Sequence, residues 1–472
     1  MSKQSSPKNL LVFRVSVFVL TFLLYAAVHA VRKTLGTVTN PVMDLGYSKT
    51  FISSMNAAFM LSYAIGMMFT GALGDRFKPT LVLLLACTAS AVISTVFGVM
   101  VPSITGEGIL YLYVFFWILN GLCQSCVWPA EVKLMSNWFS GGHSGAIYGI
   151  WSANGSVGNI LGIQFAAMCF SIWEKDATGI RWSFVIPSLF LILVAAMNFF
   201  LPDTPKAAGF TDISNSSEEI AIPQGTETSQ SVGPSKMPFW RAWLLPGVIR
   251  YGLCYGCIKS VNYAIFFWLT PFLENAGHSS NTAYLITVLN DVGWIFGGLA
   301  CGFGSDRMGT RAPFVGLFIL LSVAPTALIY PFVGSSAALA VLVTLNGFLC
   351  GGAGNVVSSA VCADIGAHDK VKGSEDVTSQ VAGIIDGLGA FISAGMQLLI
   401  GFMSKDQWDW IFYILTGMLV LAFLLISDLV YRETREWLRK RRLSSENRAV
   451  PANEVKISSN DEITIAAIDS YR

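Results

Sequence analysis

Charge is what this sequence has least of. Only 12% of its 472 residues are Asp, Glu, Lys or Arg, against about a quarter in an ordinary soluble chain. The shortage runs along most of the length. The few charges almost cancel, 30 basic against 29 acidic, for a formal net charge of +1. No global field therefore points to nucleic acid. There are four histidines, and no His, Cys, Asp and Glu cluster with metal-ligand spacing. No nucleophile–base pair or phosphate-cradling glycine loop stands outside the apolar stretches. An enzyme, a metal centre and a bound cofactor are not expected, and no obligate protein partner is evident.

What is abundant is apolar sequence: 53% of residues are hydrophobic and 44 are glycine. A chain of this length holds about twelve membrane crossings at roughly 20 apolar residues each. All nine cysteines, including the pairs Cys123/Cys126 and Cys254/Cys257, fall inside apolar stretches. They read as small packing residues rather than as a redox or zinc motif. The run from Leu10 to Val31 is too long for a cleaved leader and reads as a retained first helix.

The uncharged stretches delimit twelve helices. The stretch between Arg311 and Asp364 holds two of them, broken near Tyr330-Pro331 and Gly334. The predicted organisation is an all-α membrane protein in the lipid bilayer, with two six-helix, pseudo-symmetric bundles. Residues 1–201 form the first bundle and 241–431 the second. Residues 202–240, rich in Ser, Thr, Glu, Gly and Pro, form a disordered linker, and 432–472 a basic, polar tail. Lys and Arg collect on the side that holds the linker and tail, which predicts cytoplasmic termini.

The halves repeat each other. Asn120-Gly121 answers Asn346-Gly347 at an offset of 226, and Trp182 answers Trp410 at 228. Gly71 to Arg76 answers Gly302 to Arg307, with Asp75-Arg76 and Asp306-Arg307 aligned at 231. Parallel repeats of this kind are the pattern of major facilitator transporters. The Asp-Arg pairs fall in short loops after helices 2 and 8 and are read as gating loops. Gly309 and Arg311 complete the pattern in the second copy, whereas Phe77 and Pro79 depart from it in the first.

Ionisable residues inside a membrane helix cost about 2.5–3.5 kcal/mol on insertion scales and usually face a cavity. Arg32 and Lys33 lie late in helix 1, Lys259 in helix 7, Asp291 in helix 8 and Asp386 in helix 11. Arg32 and Lys259 are 227 residues apart, which is the repeat offset. Each half thus offers one cation at an equivalent depth, a pairing suited to a compact dianion such as a phosphomonoester. Tyr25, His29 and Arg32 share one helical face, as do Tyr255, Lys259 and Asn262, with Tyr263 beside them. These polar groups suit sugar or glycerol hydroxyls. Two readings stand for Arg32 and Lys33, cavity-facing or snorkelling to the interface, and Lys33 is read as snorkelling. Asp291 is open between pairing with Lys259 and pairing with a neighbouring helix. Trp117, Trp128 and Trp151 are read as packing residues.

The segment Tyr25 to Lys33 resembles the helix 1 motif of organophosphate:phosphate antiporters. Asn137-Trp138-Phe139, Gly149-Ile150-Trp151, Ser156 to Gly162, Asp291-Val292-Gly293 and Ile384 to Gly387 resemble the eukaryotic sugar-phosphate exchanger branch, solute carrier family 37. The resemblance covers nearly the whole chain outside the linker and tail. It implies the major facilitator fold and exchange of a sugar phosphate or glycerol 3-phosphate for inorganic phosphate. It also implies phosphate held between Arg32 and Lys259, and commonly an endoplasmic reticulum membrane. The chain departs from relatives at Asn154-Gly155, where they carry a helix 5 His. Phosphate is expected to offset the repulsion of the two cations, so that only a loaded site closes. The alternatives are a facilitator or proton-linked carrier of another organic anion, and a transporter-like sugar-phosphate receptor.

Overall fold

A bilayer offers no water to backbone polar groups, so a chain this apolar must satisfy them within helices or a closed barrel. The computed structural model takes the first route: among the described residues it contains no strand. It describes residues 7–74, 77–104, 106–139, 147, 150–210, 239–366, 377–403 and 407–449. Asp75 and Arg76, the expected first gating pair, lie outside them.

The first half comprises α1 (Pro7–Thr37), α2 (Lys49–Gly74), α3 (Pro79–Met100), α4 (Glu107–Ser125, continuing as Val127–Trp138), α5 (Asn154–Trp173) and α6 (Ala177–Phe199). The second comprises α7 (Val248–Asn275), α8 (Ser280–Met308), α9 (Ala312–Leu328), α10 (from Ser336–Asn346 to Cys362–Gly366), α11 (Val377–Phe402) and α12 (Trp408–Ala449). Ten helices are long and apolar enough to cross a membrane. The other two are α9, apolar but only 17 residues long, and α7, which carries Arg250, Lys259 and Glu274. These two would complete the expected twelve.

Local chemistry sets the helix ends. Asp176 caps α6 by accepting from Thr178 N and Gly179 N, and Ser279 caps α8 by accepting from Thr282 N. Gly309 ends α8 at φ +66°, a left-handed position that favours glycine. The exterior stays apolar: Phe69, Leu85, Tyr111, Phe200, Phe296, Phe391, Phe402 and Leu424 are exposed. In a membrane such a surface faces lipid.

Glycines set which helices touch. Gly158 and Gly162 bring α5 onto α1, and a Cβ on Gly162 would stand 2.7 Å from the Ala30 carbonyl oxygen. Gly36 brings α1 onto α7, where a Cβ would stand 3.0 Å from Phe267 Cα. Gly293 and Gly297 of α8 lie directly against the α10 backbone at Thr344 and Phe348. There α10 is glycine-rich and takes a π-helical turn at Gly347–Gly351; a second follows at Val357–Val361.

The halves are tied where α1 and α7 end. Asn40 Nδ2 donates to Glu274 Oε2 (2.9 Å) and to the Pro271 carbonyl (3.2 Å). Lys175 pairs with Glu274 at 2.6 Å and also donates to Ser280. Lys49 donates to the Met403 carbonyl (3.1 Å) and Thr50 to the Gly401 carbonyl (2.9 Å). In the loop after α8, the expected second gating loop, Arg311 pairs with Asp306 and, at 2.8 Å, with Asp364. Arg307 of the same loop lies over the Phe303 ring.

Two segments extend the bundle past the predicted boundaries. Residues 202–210, which composition assigns to the linker, pack on the first half. Thr80 N donates to Asp203 Oδ1, Trp138 Nε1 donates to the Pro202 carbonyl, and Phe210 meets Phe13 edge-on. The first part of the tail continues α12 as helix to Ala449. The 42 residues of α12 span about 63 Å at ~1.5 Å per residue, twice the ~30 Å hydrocarbon core.

Candidate substrate site

Arg32 projects from α1 into the seam between the halves and is 6% exposed. Its Nε donates to Gln124 Oε1 of α4 at 2.9 Å, and its Nη1 to the Tyr263 hydroxyl of α7 at 3.2 Å. The guanidinium lies over the rings of Phe59 (5.3 Å) and Tyr63 (4.9 Å) of α2. Its Nη2 is buried without a hydrogen-bond partner. No carboxylate pairs with it among the described residues. Arginine keeps its charge even when buried, so this is a fixed cation with an unused donor.

A polar ladder orients Gln124. Its Nε2 donates to Ser90 Oγ (3.1 Å) and to Asn120 Oδ1 (3.2 Å), which leaves Oε1 free to accept from Arg32. Asn120 in turn accepts from Ser90 (2.6 Å) and donates to Ser94 (3.3 Å). The amide therefore presents its oxygen, not its nitrogen, to the guanidinium.

Lys259 projects from α7 and is 4% exposed. Its Nζ pairs with Asp386 Oδ1 of α11 at 2.8 Å. It also lies over Tyr63 (5.7 Å), Tyr255 (5.4 Å) and Tyr263 (5.6 Å). Gly389, one turn beyond Asp386, makes this approach possible: a Cβ there would stand 3.0 Å from Lys259 Cδ and 2.7 Å from Tyr255 Cδ1. The two repeat-related cations thus converge on the same two tyrosines, Tyr63 and Tyr263. The open question about Lys259 resolves in favour of Asp386, and Asp291 lies elsewhere.

Asp291 belongs to a chain that crosses the halves. His29 Nδ1 donates to Asn159 Oδ1 (2.9 Å), and Asn159 Nδ2 donates to Asp291 Oδ1 (2.7 Å). The carboxylate can only accept, which fixes the Asn159 amide and, with it, the Nδ1–H tautomer of His29. Tyr25 packs on His29 at 4.8 Å and on Trp128 at 4.8 Å. Asn154 is buried with Nδ2 unpartnered, and the imidazole lies against the neighbouring Gly155. Asn262 is buried too, but it lies against Gly354 of α10 rather than against the cations.

Lys33 does not snorkel. It is 1% exposed, donates to the Phe266 carbonyl and lies 4.4 Å from the Phe266 ring. The close approach of α1 and α7 at Gly36 leaves its stem no path outward, and the carbonyl takes the place that interface water would have. Trp128 stacks on Trp151 at 5.1 Å, Trp151 Nε1 donates to Thr21, and Trp117 lies 4.2 Å from Phe97. These three pack the first half, as read.

Sequence reasoning missed Gln124, Asn159, Phe59 and Tyr63. The available signal for Gln124 was an amide in the middle of an uncharged span, with Ser90 and Asn120 as polar residues in the same half.

The Major Facilitator Superfamily family model matches residues 21–394. The chain is 30% identical over 481 residues to Sugar phosphate exchanger 3 of Xenopus laevis, covering 91% of this chain and 94% of that protein. It is 30% identical over 477 residues to Glucose-6-phosphate exchanger SLC37A2 of Mus musculus, with 90% and 93% covered. Among solved structures, a bacterial homologue of the human lysosomal transporter Spinster, inward-facing and occupied, superposes with a TM-score of 0.63. It is 14% identical and covers 92% of this chain and 98% of its own.

Proposed function

This chain belongs to the Major Facilitator Superfamily and, within it, to the sugar phosphate exchangers of solute carrier family 37, and from that premise we propose that it is a phosphate-linked antiporter. It exchanges a phosphorylated sugar, glucose 6-phosphate foremost, or glycerol 3-phosphate for inorganic phosphate by alternating access. The carrying observation is the meeting of Arg32 and Lys259 over Tyr63 and Tyr263, with one Arg32 donor unused. A phosphomonoester brings about −1.5 to −2 charge and three acceptor oxygens to such a pair. Tyr25 and His29 on α1, Tyr255 on α7 and Asn154 on α5 supply polar groups for the sugar or glycerol part.

We assign the face that carries both termini to the cytoplasm. The same reading gives an endoplasmic reticulum membrane. Epitope access after selective permeabilisation tests both assignments.

The central experiment uses proteoliposomes with and without internal phosphate, and the Arg32→Ala protein beside wild type. Uptake of radiolabelled phosphate or glucose 6-phosphate that needs internal phosphate and vanishes in the variant supports the proposal. Wild-type-like exchange by a membrane-inserted Arg32→Ala protein removes Arg32 from the mechanism. A proton-linked carrier is the second reading, favoured by the His29–Asn159–Asp291 chain. It requires uptake driven by a pH gradient without internal phosphate.

A further inference from the structure

The exchange reading asks for cations and supplies no task for an acid, yet Asp386 stands on one of the two cations at 2.8 Å. A carboxylate and a phosphate compete for the same ammonium group. The pair is unequal: the Lys259 side chain is 5% exposed and that of Asp386 is 20% exposed. Lys259 is ringed by three tyrosines and held, whereas the carboxylate sits on the more open side. Asp386 also accepts from one ammonium donor well and offers its backbone carbonyl to another only at 3.4 Å.

The repeat sharpens the point. Asp386 lies 227 residues after Asn159, the offset that separates Lys259 from Arg32. In the first half this position is a neutral amide that bonds His29 and Asp291 and leaves Arg32 alone. In the second half it is an acid that takes the cation.

Resting on the phosphate reading above, we propose that Asp386 is a displaceable counter-ion: it neutralises Lys259 and must leave it when phosphate binds. Its charge weakens phosphate binding and speeds release. Asp386 thus sets the balance between KM and turnover, and it lets Lys259 remain buried without a bound anion. The expected repulsion between two bare cations is accordingly relieved at Lys259 by the protein itself.

The test is equilibrium binding of radiolabelled inorganic phosphate to purified full-length protein, with exchange kinetics in proteoliposomes. Asp386→Asn is expected to bind phosphate about tenfold more tightly, equivalent to ~1.4 kcal/mol, with a lower KM and a lower kcat. Phosphate should also raise its melting temperature more than it raises that of wild type, because Lys259 then lacks any other counter-charge. Asp386→Glu keeps the charge and should behave as wild type. If Asp386→Asn does not fold, Asp386→Ser carries the same expectations. Unchanged or weaker phosphate binding in the neutral variants, with binding still lost in Arg32→Ala, overturns this inference and spares the anion site. Absence of saturable phosphate binding by wild type overturns the anion site and this inference with it.

Discussion

The two halves began as one unit, and their cations now live differently. Arg32 and Lys259 occupy matching depths, yet Arg32 is held by a neutral amide and a hydroxyl, while Lys259 is held by a carboxylate. The positions behind them explain the split. At the offset of 226, Gln124 is answered by Cys350, which has no amide to offer. At 227, Asn159 is answered by Asp386. The first half orients its cation without neutralising it, and the second neutralises its cation without an orienting ladder. One half thus holds its charge among neutral partners and the other holds its charge on a carboxylate.

That contrast can be broken most severely at Arg32. Truncating one partner of a buried charge contact costs about 2–5 kcal/mol. Arg32→Ala should therefore lower kcat/KM for phosphate exchange by at least about thirtyfold. Arg32→Lys should recover only part of it, because the planar fork is lost.

At the other cation a loss of stability joins the loss of transport. Lys259→Gln strands Asp386, and breaking a fully buried pair costs about 3–5 kcal/mol. Here the partly exposed carboxylate reduces that figure. A melting point several degrees below wild type is expected, restored in Lys259→Gln/Asp386→Asn. Equal melting points for the single and double variants would deny the pair its role.

The orienting ladder gives a smaller signal. Gln124→Ala removes a hydrogen bond to a charged group, worth about 1.5 kcal/mol at the low end, so KM for phosphate should rise roughly tenfold. The matching Cys350→Ala should leave KM unchanged, since Lys259 has no bond there. Tyr263→Phe is the mildest: it keeps the ring and loses an acceptor held at 3.2 Å, against 2.9 Å for Gln124, a change of about threefold in KM. A larger loss would mean that the hydroxyl meets the substrate as well.

The repeat offset made the cation pair legible in the sequence, because two buried charges at one spacing are conspicuous in an uncharged background. Ten of the twelve expected spans were legible for the same reason, whereas α7 falls below membrane-helix hydropathy because its polar residues dilute it. Partners were harder. In sequence Asp291 stood out more than Asp386, whose flanks are small and polar, and it is the approach of α7 to α11 at Gly389 that selects Asp386. Gln124 and Asn159 carry no charge and so raised no alarm. Their roles depend on which way an amide faces, and that is set by neighbours such as Ser90 and Asp291 on other helices. Lys33 was misread because a lysine near a helix end ordinarily escapes to the interface. Its confinement follows from Gly36, on the same helix, and from a partner strand of chain 233 residues away.

The α10 helix carries a mechanical consequence. Two of its stretches, Gly347–Gly351 and Val357–Val361, close their hydrogen bonds over five residues rather than four and so are wound wider than their neighbours. The first sits where α8 presses on it through Gly293 and Gly297. A wide turn holds surplus backbone that a tight rod lacks, and releasing it lengthens or rotates the helix without breaking its packing. This makes α10 the compliant member of the second half. Its amides should exchange with deuterium faster than those of α4 at the matching place in the first half, and binding of phosphate should narrow the gap.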